Sequence, residues 1–309
     1  MTDDVFDEFS FLPAQAESLG LATPLPAVER RDLTLADGRI LSALRYGDEA
    51  PVVTFLHGAG LNAHTWDTTI LALGLPALSI DLAGHGNSSW RDDAQYVART
   101  LAQDVVPALE SWTRVPQVLV GHSLGALTAT AVAAARGDLV RSLVLIDLTP
   151  GVDPAAGPAQ MRAFFAGPTD WADREELVER ALSFGLGGSR QAAARGVYLN
   201  SRVRPDGRVE WKHHFAHLAA AAAASDTAAS APDAVRELLA ASGWDDLAAV
   251  RKPITLVRGD AGYVTEADAE EFRAHRPDAD VIVVPAHHNV HEQIPDQLAA
   301  LLHRIVEAG

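Results

Sequence analysis

Short apolar runs alternate with longer segments of helical spacing along the first half of the chain. The runs cover residues 52–56, 77–80, 117–120 and 140–146. Continuous apolar runs of this length are typical of strands that are buried on both faces. Residues 96–112 repeat apolar side chains at helical spacing without a glycine. The pattern predicts an α/β fold with a mostly parallel, doubly wound sheet.

A predicted β-hairpin precedes the first buried strand. Apolar and polar residues alternate over residues 28–36, and a second run of this kind covers residues 40–46. Asp37 and Gly38 lie between the runs, and this dipeptide favours a tight turn. We therefore expect the chain to begin its ordered part with two paired strands.

The alternation of strands and helices stops after residue 151. Residues 152–245 contain helical stretches at 174–183 and 234–241 and a turn at 205–207, with no buried strand run. The alternation then returns, with strands at 253–257 and 281–284 and helices at 264–274 and 295–307. An interruption of about 95 residues between two strands of one sheet predicts an inserted, mainly helical cap. The predicted domains are therefore a core of residues 1–151 and 246–309 and a cap of residues 152–245.

Composition and charge narrow the class of protein. Hydrophobic residues make up 48% and charged residues 21%, which excludes a disordered chain. The 25 Lys and Arg against 41 Asp and Glu give a net charge of −16, so we expect no nucleic-acid or membrane-surface partner. The absence of cysteine excludes a disulfide framework and a cysteine nucleophile. The acidic first ten residues do not resemble a signal peptide, so we expect a soluble, cytoplasmic protein with a small-molecule substrate.

Residues 121–125 read Gly-His-Ser-Leu-Gly, the pattern of a nucleophile elbow. They lie directly after the predicted strand 117–120 and before an alanine-rich helical stretch. A serine in such a turn has a strained backbone, and a Cβ at Gly121 or Gly125 would collide with the neighbouring strand or helix. We therefore expect Ser123 to be the nucleophile of a covalent mechanism.

The base that activates this serine should follow the last strand. A serine hydroxyl is a poor nucleophile and needs a base within hydrogen-bond reach. Three histidines follow residues 281–284, namely His287, His288 and His291. The residues by themselves leave the choice among the three open.

Together, these motifs resemble a capped α/β-hydrolase. The resemblance rests on the elbow, on residues 57–60 (His-Gly-Ala-Gly), on residues 81–86 (Asp-Leu-Ala-Gly-His-Gly) and on the histidine-containing tail, and it covers essentially the whole chain. The family's tail commonly reads Gly-His-x6-Pro, so Pro295 implies His288 as the base. His287 then stands where a glycine is usual. We expect His287 and His291 to be rim or packing residues.

The resemblance leaves two candidates for the acid that orients the base. The usual family position lies about three residues beyond Gly259 and falls on Gly262, which has no carboxylate. Asp260 ends the same strand, and Asp147 ends the previous strand, where some members of the superfamily carry the acid. We favour Asp147 and keep Asp260 as the alternative.

The same resemblance implies an oxyanion hole made of two backbone N–H groups. One is that of Leu124, directly after the nucleophile at a helix N-terminus. The other is that of Ala59, within one residue either way. His57 is expected to hold this loop, and residues 81–86 to form a scaffold turn with Asp81, Gly84 and Gly86.

The predicted cap contains side chains whose role the sequence leaves open. His213 and His217 are spaced i, i+4 and could face a metal together, but no nearby acid completes a site, so we expect rim residues. Several aromatic residues could line an acyl pocket or pack the cap on the core: Phe164, Phe165, Trp171, Phe184, Tyr198 and Trp211. We expect no metal and no organic cofactor.

The sequence thus predicts a serine hydrolase that cleaves a small-to-medium, apolar carboxylic ester through an acyl-enzyme. The same constellation serves C–C bond hydrolases of the meta-cleavage type, lactonases and cofactor-free perhydrolases. An alternative from another class is a ligand-binding module whose triad has decayed. The oligomeric state is not determined by the sequence.

Overall fold

A computed structural model describes residues 7–22, 24–152, 167–184, 189–224 and 243–308. These residues form a large and a small sheet. The strands are β1 (Val28–Thr34), β2 (Ile40–Tyr46), β3 (Val53–Leu56), β4 (Ala77–Asp81), β5 (Gln117–His122), β6 (Val140–Ile146), β7 (Asp170–Trp171), β8 (Ser201–Val203), β9 (Val209–Trp211), β10 (Ile254–Gly259) and β11 (Asp280–Val284).

The large sheet has eight strands in the order β1-β2-β4-β3-β5-β6-β10-β11. From β4 to β11 neighbouring strands are parallel, whereas β2 pairs antiparallel with both β1 and β4. The predicted hairpin is confirmed, with Val28 opposite Tyr46 and Thr34 opposite Ile40. Every residue of β3 and β5 is buried, because both faces of these central strands are covered.

Helices cover both faces of this sheet. The helices of the described residues are α1 (Leu12–Ser18), α2 (Asp67–Leu73), α3 (Ala98–Trp112), α4 (Leu124–Ala135), α5 (Arg174–Ser183), α6 (Arg190–Asn200), α7 (Phe215–Ala224), α8 (Trp244–Ala249), α9 (Glu266–His275), α10 (Val290–Gln293) and α11 (Pro295–Ala308). Short 3₁₀ turns cover Glu8–Phe11, Ala63–Trp66 and Gly137–Leu139. None of the helices in the described residues has both the length and the apolar character to cross a membrane.

The core lies in two layers, one on each side of the sheet. On one side α3 and α4 pack apolar residues such as Leu101 and Val132 against the strands. On the other side α2 and α11 do the same with residues such as Ile70 and Leu302. The predicted doubly wound α/β fold is therefore confirmed, and the loops at the carboxyl ends of the parallel strands share one edge.

The described part of the segment between β6 and β10 contains four helices, α5 to α8, and the small sheet. This sheet is antiparallel with the order β7-β9-β8. Its side chains pack with α5 and α6 into a separate cluster that includes Trp171, Leu177, Val197 and Trp211. The predicted helix at 174–183 is present, whereas the one at 234–241 lies outside the described residues.

The sequence showed no buried strand run in this segment, but the structure contains three short strands there, and every residue of β9 is buried. The three strands have only two or three residues each, as their bounds show. Strands this short give no readable alternation of apolar and polar residues in the sequence. The turn expected at 205–207 joins β8 to β9, and Gly207 there has a φ of 83°.

The inserted segment contacts the core loops through hydrogen bonds. The His214 N–H donates to the Gly84 carbonyl at 2.9 Å, and the Trp90 indole N–H donates to the Lys212 carbonyl at 2.6 Å. These contacts place the segment over the loop that follows β4, at the carboxyl edge of the sheet.

Candidate active site

Ser123 lies in a strained turn between β5 and α4. Its φ of 53° and ψ of −121° fall outside the regions that non-glycine residues favour. Its N–H donates to the Ile146 carbonyl at 3.1 Å, which ties the turn to the end of β6. The side chain is buried apart from 8% of its surface. Such a turn projects the hydroxyl at the carboxyl edge of the sheet.

The two glycines of the elbow are required by close backbone approaches. A Cβ at Gly121 would overlap the Gly125 carbonyl, and a Cβ at Gly125 would overlap the Leu56 carbonyl. A larger residue at either position would therefore push α4 away from β5 or β3. This confirms the steric reason for which the sequence predicted small residues here.

Asp147 and His288 form a hydrogen-bonded pair beside the elbow. The His288 Nδ1 lies 2.8 Å from the Asp147 carboxylate, and the carboxylate is fully buried. The Asp147 carboxylate also accepts hydrogen bonds from the N–H groups of Gly259 at 3.0 Å and Tyr263 at 2.7 Å. Three hydrogen-bond donors on one buried carboxylate fix its position.

The carboxylate of Asp147 occupies the space next to Gly262. A Cβ at Gly262 would overlap that carboxylate. The position where the resemblance places the acid therefore holds a glycine, and the Asp147 side chain enters the same place from the neighbouring strand. Asp260, the alternative candidate, is exposed, and its N–H continues the sheet by donating to Val284 at 2.9 Å. The structure thus places Asp147 rather than Asp260 against His288.

The ring of His288 is also held by two neighbouring rings. Tyr263 stacks on it, with centroids 3.6 Å apart and planes 10° apart. The His122 ring lies 4.5 Å away, and its Nε2 donates to the His288 carbonyl at 3.1 Å. Burial lowers the pKa of His122 well below its usual value, so this ring is neutral and keeps one N–H to donate.

The other two tail histidines have different surroundings. His287 is exposed, and its N–H donates to the Gln293 side chain at 2.6 Å. His291 is fully buried against Trp66, and burial lowers its pKa to about 3. His291 Nε2 lies 3.2 Å from the Thr65 hydroxyl. These positions agree with the expected rim role for His287 and packing role for His291.

The loop after β3 lies directly on the elbow. A Cβ at Gly58 would be 3.2 Å from that of Ser123. Within the loop, the Leu61 N–H donates to the Gly58 carbonyl at 3.2 Å, and the Gly60 N–H donates to His85 Nε2 at 3.1 Å. Across the part of the chain that the structure describes, no hydrogen bond is donated by the Ala59 N–H. This group is therefore available to a ligand next to Ser123.

Leu124 offers a second N–H beside the same hydroxyl. It is the first residue of α4, so its N–H has no acceptor inside the helix. The positive end of the helix dipole strengthens the attraction of such a group for an anion.

His57 fixes the start of the loop after β3 (residues 57–61), the candidate oxyanion loop, as the sequence predicted. It is fully buried, its Nε2 accepts the Leu82 N–H at 3.0 Å, and its Nδ1 lies 2.8 Å from the Gly58 carbonyl. Burial lowers its pKa, so the ring stays neutral with its proton on Nδ1. Asp81 is also buried, where it accepts the Ala63 N–H at 2.6 Å. His85 lies in the same turn, and no sequence pattern indicated an individual role for it.

His213 and His217, the candidate metal ligands of the inserted segment, contact different side chains. His213 is buried and stacks on Trp211 with centroids 5.4 Å apart. His217 lies over Trp90 and 3.4 Å from Glu210. Among the residues that the structure describes, no three His, Asp or Glu side chains are placed to share a metal ion.

The aromatic residues of this segment are only partly described. Trp171 and Trp211 pack edge to face, 5.5 Å apart, inside the segment's own cluster. Tyr198 lies under the Arg174 guanidinium at 4.8 Å. Phe164 and Phe165 lie outside the described residues.

The structure does not join the hydroxyl of Ser123 to the base. In the described residues, no hydrogen bond links Ser123 Oγ to the His288 ring. Contacts of this kind are often long without substrate and shorten in the Michaelis complex. What the structure brings together is a strained serine, a half-buried histidine hydrogen-bonded to a buried aspartate, and two free N–H groups.

Comparison with known proteins gives the family. The sequence profile of the alpha/beta hydrolase family matches residues 55–301. The chain is 36% identical to the esterase Rv0045c of Mycobacterium tuberculosis over 97% of this chain and 96% of that protein. A solved structure of that esterase superposes with a TM-score of 0.80 at 34% identity, covering 98% of this chain and 99% of the other.

A second relative is the 2-(acetamidomethylene)succinate hydrolase of Mesorhizobium japonicum. The two chains are 31% identical over 88% of this chain and 93% of that protein. A structure of an enzyme of this name superposes with a TM-score of 0.75, covering 91% of this chain and 100% of the other. From the matched profile and the full-length relatives, the chain belongs to the alpha/beta hydrolase family.

Proposed function

We propose that this chain is a serine hydrolase that cleaves small-to-medium, largely apolar carboxylic esters through an acyl-enzyme. The observation that carries the proposal is the hydrogen bond between the buried Asp147 carboxylate and the half-buried His288, beside the strained Ser123. The esterase relative, similar over nearly the whole of both chains, supports an ester rather than another acyl substrate. We further propose that residues 152–245 form a cap that selects the substrate. The cytoplasmic location stays a prediction.

In the proposed reaction, Ser123 Oγ attacks the ester carbonyl carbon while His288 takes the hydroxyl proton. Asp147 holds the ring of His288 and stabilises the imidazolium that forms. The carbonyl oxygen becomes an oxyanion that accepts hydrogen bonds from the N–H groups of Ala59 and Leu124. His288 then gives its proton to the leaving alcohol. A water molecule, deprotonated by His288, attacks the acyl-enzyme and releases the carboxylic acid.

Intact mass after incubation with a small fluorophosphonate tests this proposal. We expect one adduct on the wild-type protein and none on Ser123→Ala, because only an activated serine displaces fluoride. Ser142→Ala is a matched control, since Ser142 is 8% exposed like Ser123 but lies within β6. This variant should label like the wild type. A wild-type protein without an adduct would contradict the proposal and favour a ligand-binding module.

A substrate panel then separates the hydrolase chemistries. Esters of increasing acyl length should be cleaved faster than a lactone or a vinylogous diketone, the substrate type of C–C hydrolases. A lactone or diketone cleaved faster than every ester would replace the ester assignment while keeping Ser123 as nucleophile. Peracid formation from acetate and hydrogen peroxide tests the perhydrolase alternative in the same way.

A further inference from the structure

His85 holds the amide next to the free N–H of Ala59. It lies in the turn after β4 and is fully buried. Its Nε2 lies 3.1 Å from the Gly60 N–H, and its Nδ1 lies 3.1 Å from the Ala83 carbonyl. Since Gly60 donates, Nε2 carries no proton and Nδ1 donates to Ala83. Burial lowers the pKa of His85 well below its usual value, so this tautomer persists at neutral pH.

The Gly60 N–H controls the orientation of the oxyanion loop. Gly60 has a φ of 75°, the left-handed conformation that the Gly58–Leu61 turn requires. Its N–H belongs to the peptide plane that includes the carbonyl of Ala59. Fixing this plane therefore fixes the backbone of Ala59 on one side. A buried N–H without an acceptor is rare, so without His85 the peptide would turn to find another partner.

The ring of His85 is itself held by a residue of the inserted segment. Phe215, the first residue of α7, meets the ring edge to face with centroids 4.8 Å apart. His57 contacts the ring at 5.0 Å. Phe215 also packs on Tyr96, 5.7 Å away, in the core. One imidazole thus touches both the oxyanion loop and the segment that covers it.

We propose that His85 is a positioning residue for the oxyanion hole and that Phe215 keeps it in place. His85 holds the Gly60 amide so that the Ala59 N–H faces the reacting carbonyl. The packing of the inserted segment through Phe215 then sets how well the oxyanion is bound. This inference rests on the proposed function, because it concerns the same hydrolytic site.

Two substitutions of His85 separate its two hydrogen bonds. In His85→Gln the side-chain oxygen replaces Nε2 and still accepts the Gly60 N–H. In His85→Asn the side-chain NH₂ group replaces Nδ1. It keeps the hydrogen bond to the Ala83 carbonyl, but the hydrogen bond from the Gly60 N–H is lost. Complete removal of an oxyanion hydrogen-bond donor lowers kcat by 10²–10³-fold. In His85→Asn the Ala59 N–H is displaced rather than removed, so we expect kcat to fall by about 10–100-fold. KM should change by less than about threefold, and His85→Gln should stay within about fivefold of the wild-type kcat.

Binding of a trifluoromethyl ketone distinguishes positioning from general destabilisation. Ser123 adds to such a ketone and forms an oxyanion in the same hole, so it mimics the intermediate. Its affinity should fall in His85→Asn by the same factor as kcat/KM and stay near wild type in His85→Gln. Equal losses in both variants, or unchanged kcat and ketone affinity in His85→Asn, would overturn the inference.

Phe215→Ala tests the contribution of the inserted segment. We expect a kcat loss of about 5–20-fold, and the double variant with His85→Asn should lose no more than His85→Asn alone, because both changes act on one contact. Leu218→Ala is the matched control, since Leu218 lies on the same helix and packs against the same core cluster. If the fold decrease in kcat of the double variant equalled the product of the decreases of the two single variants, the coupling would be contradicted.

Failure of the wild-type protein to label with fluorophosphonate would instead contradict the proposed function, and this inference with it.

Discussion

At the scale of single residues, the candidate acid lies on a different strand from the usual family position. Asp147 follows β6 and Gly262 follows β10, and these strands are parallel neighbours with Ile146 opposite Val257. Neighbouring strands lie about 4.8 Å apart, so a side chain from either strand can reach the same point beyond the sheet. The exchange is possible only because Gly262 leaves room for the carboxylate.

Asparagine substitutions test which carboxylate orients the base. Asp147→Asn should lower kcat by about 10³–10⁴-fold, because an amide no longer stabilises the imidazolium and favours the wrong tautomer of His288. Asp260→Asn should change kcat by less than about fivefold, since Asp260 is exposed at the end of β10. Steady-state hydrolysis of a p-nitrophenyl ester measures both. The reverse order of losses would assign the acid to Asp260.

Gly262→Ala tests the space that the Asp147 carboxylate needs. The added Cβ would overlap the carboxylate and displace it from His288, so kcat should fall by at least about 10²-fold. Gly196→Ala is the control, because nothing lies within 4 Å of a Cβ there and α6 would accept alanine. The same ester assay applies. An active Gly262→Ala protein would show that the carboxylate position is not critical.

At the scale of elements, ion pairs tie the N-terminal segment to the sheet. Glu8 forms hydrogen bonds with both Arg30 Nε at 2.7 Å and Arg30 Nη2 at 2.6 Å, and it lies 3.2 Å from His64. Burial lowers the pKa of His64, but Asp67 and Glu8 outweigh this effect and raise it to about 9. His64 is therefore charged at neutral pH. Its contribution to stability is complete below pH 6.5 and is lost as the pH rises through about 9.

Glu8→Gln should destabilise the protein by about 2 kcal/mol. The change removes one of the two carboxylates that face each of Arg30 and His64, whose side chains are 16% and 3% exposed, and leaves only Asp81 and Asp67. Urea unfolding at pH 7 measures the loss. Glu29→Gln is the control, since Glu29 pairs with Arg31 at the surface, where such pairs contribute about 0–1 kcal/mol. Equal effects of the two changes would mean that the N-terminal contact adds no stability.

At the scale of the whole molecule, buried histidine side chains limit the stability of the fold at low pH. Five histidines of the described residues are almost completely buried and have lowered pKa values: His57, His85, His122, His213 and His291. Burial is the main cause in each. For a base with a lowered pKa, the stabilisation is complete above its ordinary pKa and is lost as the pH falls below it.

The protein should therefore lose stability as the pH falls below about 6.5, because each of the five rings gains a proton on unfolding. Its acid-unfolding midpoint should lie above about pH 4, the pKa range of ordinary carboxylates. Circular dichroism against pH at constant salt measures the midpoint. His303→Gln is the control, because His303 is 46% exposed in α11 and should leave the midpoint unchanged. A midpoint below about pH 4 would mean that carboxylates, rather than histidines, control acid unfolding.

The sequence by itself determined the core of the fold and the elbow. Strands such as β3 and β5 are buried on both faces, so each is a continuous apolar run that can be recognised without its neighbours. The elbow pattern is also local, because it can be recognised from five consecutive residues. The close approaches that require its glycines are to α4 for Gly121 and to the end of β3 for Gly125. The identity of the nearby His288 came from the spacing to Pro295 in a family resemblance.

Only the tertiary structure decided which carboxylate faces His288. Asp147 and Asp260 both end strands, and the choice depends on the packing of β6 beside β10 and on the space at Gly262. The bond from Gly60 to His85 likewise joins loops from two strands, and the small sheet of β7, β8 and β9 forms from pieces too short to give a pattern. These features depend on contacts between residues far apart in the chain, which no local pattern of apolar and polar residues contains.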